Sequence, residues 1–280
     1  MDWHLFTASI QGTAHRAAAL PNQDAVGSRG DPAQAGGAPL AVAVADGHGD
    51  PRHFRSGRGS QLAVDVACEL GCEVLAGMGG AAGPDPVRAQ LAQRLLPGIV
   101  HGWRAAVAED LDHRPFSAEE LRHRHPGDDA VVAYGTTLLL AVFIGRWLAV
   151  AQIGDGDMLL VEAGGRVAVP VPPDPSLHGR FTTSLCQDDA LAHFRVGALD
   201  LDQAPAEVLL LATDGFGNAQ ATEPWQPGVG ADLLAFVRDR GIDWMGEQLP
   251  SWAARCASAE GSGDDTTLAL LVRSAPPLRP

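Results

Sequence analysis

The chain has 280 residues, 46% of them hydrophobic, with 20 basic and 34 acidic side chains and a formal charge of −14. That balance fits a globular protein and argues against nucleic acid or an anionic membrane surface as a partner. All 20 basic residues are arginine, which excludes a P-loop lysine, a kinase-type ATP-binding lysine and a lysine Schiff base.

In chain order, 3–10 reads as an opening strand and 27–39 as a Gly-, Ala- and Pro-rich loop, followed by a compact apolar strand at 40–45 that Asp46 ends. Leu62, Val66, Leu70 and Val74 give 59–78 helical spacing, and Val87, Leu91, Leu95 and Val107 repeat it over 86–109, with Pro97 as a break or kink. The stretch 113–129 is polar and charged and reads as a surface insertion. Two apolar runs, 138–144 and 147–153, flank Gly145-Arg146 and predict a tight hairpin; with a central arginine they are too short to span a membrane. Further strands are predicted at 158–162, 166–171, 193–199, 208–212 and 267–272, and helices at 231–240 and 244–258. Hairpins in the middle, helices on either side and no regular alternation of strand and helix favour an α+β sandwich over a doubly wound sheet. No internal repeat is visible. Cys68, Cys72, Cys186 and Cys256 form no C-x-x-C pair, and none is followed six positions on by arginine. Buried free thiols are therefore expected, not a zinc site, a disulfide framework or a cysteine-dependent phosphatase. Without a basic, then apolar, leader the expected location is the cytoplasm.

Four acidic motifs lie far apart in this pattern: Asn22-Gln23-Asp24, Asp46-Gly47-His48-Gly49, Thr213-Asp214-Gly215 and Gly263-Asp264-Asp265-Thr266-Thr267. Three abut strand-like runs. Carboxylates fixed at strand ends suit hard, oxygen-preferring cations such as Mg²⁺ or Mn²⁺. Brought together without a cation they would repel one another and be driven toward protonation.

The ordered set of motifs resembles the metal-dependent protein phosphatases, the type 2C serine/threonine phosphatases, and their bacterial branch in particular. Besides the acidic motifs, the matching stretches are Gly12-Thr13-Ala14-His15, His53-Phe54-Arg55-Ser56, Tyr134-Gly135-Thr136-Thr137, Gln152-Ile153-Gly154-Asp155-Gly156-Asp157 and Thr182-Thr183-Ser184-Leu185. The resemblance runs from about the tenth residue to the last strand. It implies a single domain, 1–280, built as an α-β-β-α sandwich of two antiparallel sheets flanked by helices. It also implies two Mn²⁺ or Mg²⁺ ions, and hydrolysis of phosphoserine and phosphothreonine by a metal-activated water.

Carried across residue by residue, the resemblance makes Asp46 the carboxylate that bridges two ions and Gly47 the carbonyl that ligates one of them. Asp214 and Asp264 match the remaining ligands of the second ion, with Asp265 the alternative to Asp264. Asp24 matches an acid that orients metal-bound water, and Asp155 one that with Asp214 holds a third, weaker ion. Asp157 stays open between an outer-shell role and a solvated turn. His48, two residues past Asp46, is placed to donate a proton to the departing alkoxide; its ordinary alternative is a turn residue bonding to backbone. Asp24 and Asp214 have an ordinary alternative as turn or helix-cap residues.

Many relatives carry a phosphate-gripping arginine about five residues before the acid matching Asp24, where this chain has Ala19. Arg55, Arg52 and Arg16 are the replacements near the motifs, with Arg55 first because it follows the metal-binding turn.

Three rival readings remain beside this one. Calcineurin-like metallophosphoesterases share the D-x-H of Asp46-Gly47-His48, but they need an N-H-[D/E] motif that is absent and a late H-x-H, which occurs only as His123-Arg124-His125 in the charged insertion. A pseudophosphatase that binds a phosphoprotein without hydrolysing it would have lost metal-ligand acids, and here all are retained. A small phosphate ester is the third alternative, as substrate. The abundance of Ala, Gly, Pro and Arg suggests a high-GC bacterial genome, so the expected partner is a protein phosphorylated by a bacterial Ser/Thr kinase.

Overall fold

A computed structural model describes residues 3–35, 38–175, 177 and 181–274. Ten strands form two antiparallel sheets. One has the order β1 (Trp3–Ile10), β10 (Thr266–Arg273), β9 (Ala206–Ala212), β6 (Asp157–Glu162), β7 (Val167–Ala168); the other runs β2 (Ala25–Arg29), β3 (Leu40–Ala45), β4 (Leu138–Ile144), β5 (Trp147–Ile153), β8 (Arg195–Asp200). The helices are α1 (Thr13–Ala17), α2 (Ser56–Leu75), α3 (Pro84–Gln90), α4 (Leu96–His113), α5 (Ala190–His193), α6 (Asp214–Gly217), α7 (Gln226–Arg240) and α8 (Ile242–Cys256).

The period-two alternation of the strands creates the layers. Along β4, Leu138, Leu140, Val142 and Ile144 face a core shared with α2 and α4, while Leu139, Ala141 and Phe143 face the other sheet. Strand β9 does the same in mirror fashion: Leu209 and Leu211 enter the core between the sheets, and Val208, Leu210 and Ala212 pack under α7 and α8. Three cores stacked in this way make an α-β-β-α sandwich. Its central strands are apolar on both faces, which is why β3, β4 and β5 are buried at every position.

On the helix side of β3 the residues are Ala41, Ala43 and Ala45, and α2 answers with Ala63, Ala67 and Gly71. Small residues on both surfaces let the helix lie close to the sheet; a Cβ on Gly71 would come within 3.0 Å of Val142. The β4–β5 hairpin turns through Gly145-Arg146 with Ile144 opposite Trp147, and Gly145 takes a left-handed φ of 59°.

Three expectations differ from the structure. The predicted loop at 27–39 begins inside β2, a short edge strand paired to β3 from Ala25↔Ala45 to Arg29↔Ala41; residues 36 and 37 lie outside the described part. Ala-Val-Gly-Ser-Arg carries no apolar alternation, so tertiary pairing decides its conformation. The strand predicted over 166–171 shrinks to Val167–Ala168, because Pro170 has no N–H for a ladder. The break assigned to Pro97 takes the form of a π-helical turn, Leu91–Leu95, after which Pro97 occupies the first turn of α4 and forfeits no bond there. Among the described residues no helix is long and apolar enough to cross a membrane.

Candidate metal centre

The registers bring one end of both sheets to the same place. Ala25 opposite Ala45 puts Asp24 beside Asp46; Leu138 opposite Ile153 puts Thr137 near the turn that carries Asp155; Ala212 opposite Leu268 puts Asp214 near Asp264 and Asp265. Asp46, Asp155, Asp214 and Asp264 all line one cleft of ≈ 410 Å³ at this edge.

Hydrogen bonds fix Asp46 through its backbone and Asp24 and Asp155 through threonine hydroxyls. The Asp46 carbonyl accepts from the Thr137 N–H at 2.9 Å and the Thr136 hydroxyl at 2.8 Å, and the Asp46 N–H donates to the Thr137 hydroxyl oxygen. Gly47 is pressed between two segments: a Cβ there would stand 2.5 Å from the Gln23 carbonyl oxygen and 2.8 Å from the backbone of Ser56. No larger residue fits that turn. Thr213 donates its hydroxyl to Asp24 at 2.8 Å and receives the Thr267 N–H at 2.9 Å, so one side chain joins β9, β10 and the entry to β2. In the β5–β6 turn, Asp155 accepts from the Thr182 hydroxyl at 2.8 Å, the Gly154 N–H donates to Thr183, and Gln152 and Arg195 donate to the Gly154 carbonyl.

The electrostatics show a cluster of like charges. Burial raises the Asp46 carboxyl well above the usual carboxylate range, and Asp24, Asp214 and Asp155 push it further; a hydrogen bond with Asp214 also keeps a proton on Asp46. Burial lifts Asp214 to about 6, helped by Asp155 and Asp264, while the bond to Asp46 opposes the rise. Asp24 rises by burial against the Thr213 hydroxyl, and Asp157 rises to about 7 by burial and then by Asp214.

This donor set is all oxygen, negatively charged and compact, which fits a hard divalent cation and not zinc or copper. Among the described residues no three His, Cys, Asp or Glu side chains are already closed around one point as a metal cluster. The fit therefore rests on Asp46, Asp155, Asp214 and Asp264 sharing one cleft and on the like-charged neighbours that help raise Asp46 and Asp214, the conflict a cation relieves.

Residues 11–253 match the family model described as Protein phosphatase 2C. The chain belongs to the protein phosphatase 2C family. It is 27% identical to serine/threonine-protein phosphatase 3 of Escherichia coli (strain K12), covering 96% of this chain and 98% of that one. Its fold is similar to that of a bacterial serine phosphatase, with a TM-score of 0.63, 16% identity and 99% and 100% of the two chains covered. It is also similar to the catalytic domain of a serine/threonine protein phosphatase solved with two manganese ions, at a TM-score of 0.52 and 17% identity over 96% and 97% of the chains.

Within this phosphatase fold the pair left open in the sequence separates. Asp264 is half exposed and faces the cleft. Asp265 is 3% exposed and turned inward, accepting the Gly12 N–H at 2.7 Å and the Gln23 N–H at 2.6 Å, with the His15 ring at 2.8 Å. It ties the Gly12–His15 motif to the Asn22–Asp24 motif and is not at the cleft.

The three arginines also separate. Arg52 lines the cleft, its Nε donating to His53 at 3.2 Å. Arg16 bonds the Gln11 carbonyl and does not line the cleft. The phosphate role expected first of Arg55 does not fit its placement: its guanidinium binds both carboxylate oxygens of Glu120 at 2.7 and 3.0 Å, the Tyr134 hydroxyl and the carbonyls of Arg114 and Pro115. Every nitrogen is engaged, so Arg55 locks the insertion, not a substrate. Glu120 is the insertion's anchor and Phe116 packs on Phe54, so the predicted surface stretch folds back over the start of α2. His123, from the only H-x-H, lines a neighbouring groove and not the cleft.

His48 lines the cleft with its ring edge-on to His53, centroids 4.9 Å apart. Burial, then His53 and Arg52, lower its pKa to about 3, so the imidazole is neutral. Gln152, Thr182 and Thr183 lie within motifs, but nothing in their spacing gave them a role. Arg195 lay in no motif, and a lone arginine carries no sequence signal for its bond to the metal-side turn.

Proposed function

We propose that this protein phosphatase hydrolyses phosphoserine and phosphothreonine in proteins, using Mn²⁺ or Mg²⁺ held by Asp46, the Gly47 carbonyl, Asp214 and Asp264, with Asp155 and Asp214 holding a third, weaker ion. The observation that carries this reading is the convergence of Asp46, Asp155, Asp214 and Asp264, from four separate segments, on one cleft. Held by these residues, a pair of divalent ions would supply Lewis acidity that activates water near neutral pH and offsets charge on the phosphoryl group.

The chain's own residues do the rest. Thr136 and Thr137 hold the Asp46 backbone so that its carboxylate and the Gly47 carbonyl keep their relation. Asp24, fixed by Thr213, is the acid that orients the attacking water. Arg52 is the cation at the cleft wall and takes the phosphate role that Arg55 cannot. His48, which lines the cleft, is the group placed to protonate the leaving alkoxide, and a phosphate dianion beside it favours its protonated form. The expected partners are proteins phosphorylated by bacterial Ser/Thr kinases. Four cysteines free of disulfides suit the reducing cytoplasm as the location.

Turnover of p-nitrophenyl phosphate and of a phosphothreonine peptide with Mn²⁺ tests the reading, with EDTA and Asp46→Asn as controls. Metal-dependent turnover lost in both controls is expected; turnover no higher than that of Asp46→Asn contradicts it.

A further inference from the structure

Beside the metal cleft, and sharing Gly49, Asp50 and His53 with it, lies a larger groove of ≈ 640 Å³ whose far wall is made by α2, the end of α4 and the insertion. Resting on the phosphatase reading above, we propose that this groove binds an anionic side chain of the substrate, carboxylate or phosphorylated, two to four residues from the target phosphoresidue.

The charge of the wall is uneven. Arg55, Arg58 and Arg114 meet two acids, Asp110 and Glu120. Arg55 is used up on Glu120 and its neighbours. Arg58 and Arg114 both converge on one Asp110 oxygen, Arg58 through Nε at 2.8 Å and Arg114 through one terminal nitrogen. The second Asp110 oxygen takes the Tyr134 hydroxyl at 3.0 Å. The remaining guanidinium nitrogens of Arg58 and Arg114 have no partner among the described residues, and the two side chains are 40% and 62% exposed. One carboxylate thus holds two arginines side by side with one positive charge in excess, in a chain whose formal charge is −14. Planar guanidinium pairs bind carboxylates and phosphates through paired N–H donors.

Asp50 sits at the mouth shared with the cleft, 3.8 Å from Arg52, and its charge disfavours an anion there. It therefore directs the anion to the Arg58–Arg114 end. The groove adjoins the cleft at Gly49, so an extended chain whose phosphoresidue is in the cleft, advancing about 3.3–3.6 Å per residue, enters the groove there.

The test uses the Mn²⁺-loaded full chain and phosphothreonine peptides carrying Ala, Glu or a non-hydrolysable phosphonate at each position two to four residues from the target. The expected result is a kcat/KM about tenfold higher for Glu or phosphonate than for Ala at one or more positions, shrinking as salt is raised. A phosphonate advantage over Glu points to a doubly phosphorylated substrate, and equality points to an acidic one. Arg58→Gln and Arg114→Gln, which keep a donor for Asp110, should bring the ratio toward one, and Arg114→Glu should reverse it toward Lys-bearing peptides. A ratio near one in the unmodified protein at every position, or a ratio that survives the double substitution, overturns the proposal. Fluorescence anisotropy with labelled peptides and the Asp46→Asn protein reads the same ratio in Kd. If no peptide is turned over, the phosphatase reading fails while anisotropy still judges the groove.

Discussion

Two charged regions lie side by side at one edge of the sandwich and are built on opposite rules. In the groove wall, Arg55, Arg58 and Arg114 meet Asp110 and Glu120, and the hydrogen bond from Arg55 holds Glu120 down at about 2. At the cleft, burial and like-charged neighbours raise Asp46 and Asp214, and the cation on the cleft wall, Arg52, spends its Nε on His53. The first region carries most of its compensation within the chain, with one positive charge left over, and holds the insertion in place. The second needs its compensation from outside the chain. Charge clusters of similar density thus differ in purpose according to whether their counter-ions are built in, which substitutions on each side can sharpen.

The largest effect is expected in the cleft. Asp46→Asn or Asp214→Asn should lower metal-dependent kcat by about a thousandfold or more, some 4 kcal/mol of transition-state stabilisation, with the thermal midpoint of the metal-free protein unchanged or raised because a repelling charge is gone. Steady-state kinetics with Mn²⁺ beside a thermal melt in EDTA check both halves. On the other side, Arg55→Ala should cost about 1–2 kcal/mol of stability in urea unfolding by removing the guanidinium that pairs with the partly exposed Glu120, with loss of activity only in proportion to unfolding. Because Glu120 is depressed from 4.5 to about 2 in the folded chain, its contribution is complete above pH about 4.5 and is lost as pH falls toward 2. The stability gap between Arg55→Ala and the parent should therefore close below pH about 4; a gap constant down to pH 2 contradicts the assignment.

A finer contrast lies between neighbours. Asp264→Ala should shift the Mn²⁺ concentration needed for half-maximal activity upward with little change in melting temperature. Asp265→Ala should do the reverse, costing about 1–3 kcal/mol by stranding the buried N–H groups of Gly12 and Gln23. The smallest effect is expected of Thr213→Val, which removes the hydroxyl shared by Asp24 and the Thr267 N–H and should cost about 1 kcal/mol.

Much of this molecule was legible because its information is local. Leu40–Ala45 and the hairpin of Leu138–Ile144 and Trp147–Ile153 appear with the boundaries read from the sequence, since buried apolar runs and a Gly-initiated turn determine them without help. The acids followed because each motif marks a strand end, and a strand end has only one place to be once its register is set. What escaped was pairing. Nothing in the sequence of Arg55 says that Glu120, 65 residues on, will engage it, and proximity to the metal turn pointed the wrong way. Asp264 and Asp265 are equivalent as letters; they are distinguished only by which one finds the N–H groups of a segment some 250 residues earlier. The edge strand Ala25–Arg29 was missed for the same reason, since only its partner makes it a strand.

The central claim is that the cleft acids take their counter-charge from bound divalent ions. Calorimetric titration of Mn²⁺ into metal-free protein tests it most directly. Two tight sites per chain are expected, with binding lost or severely weakened in Asp46→Asn. No measurable binding, or binding unchanged by that substitution, would contradict the account.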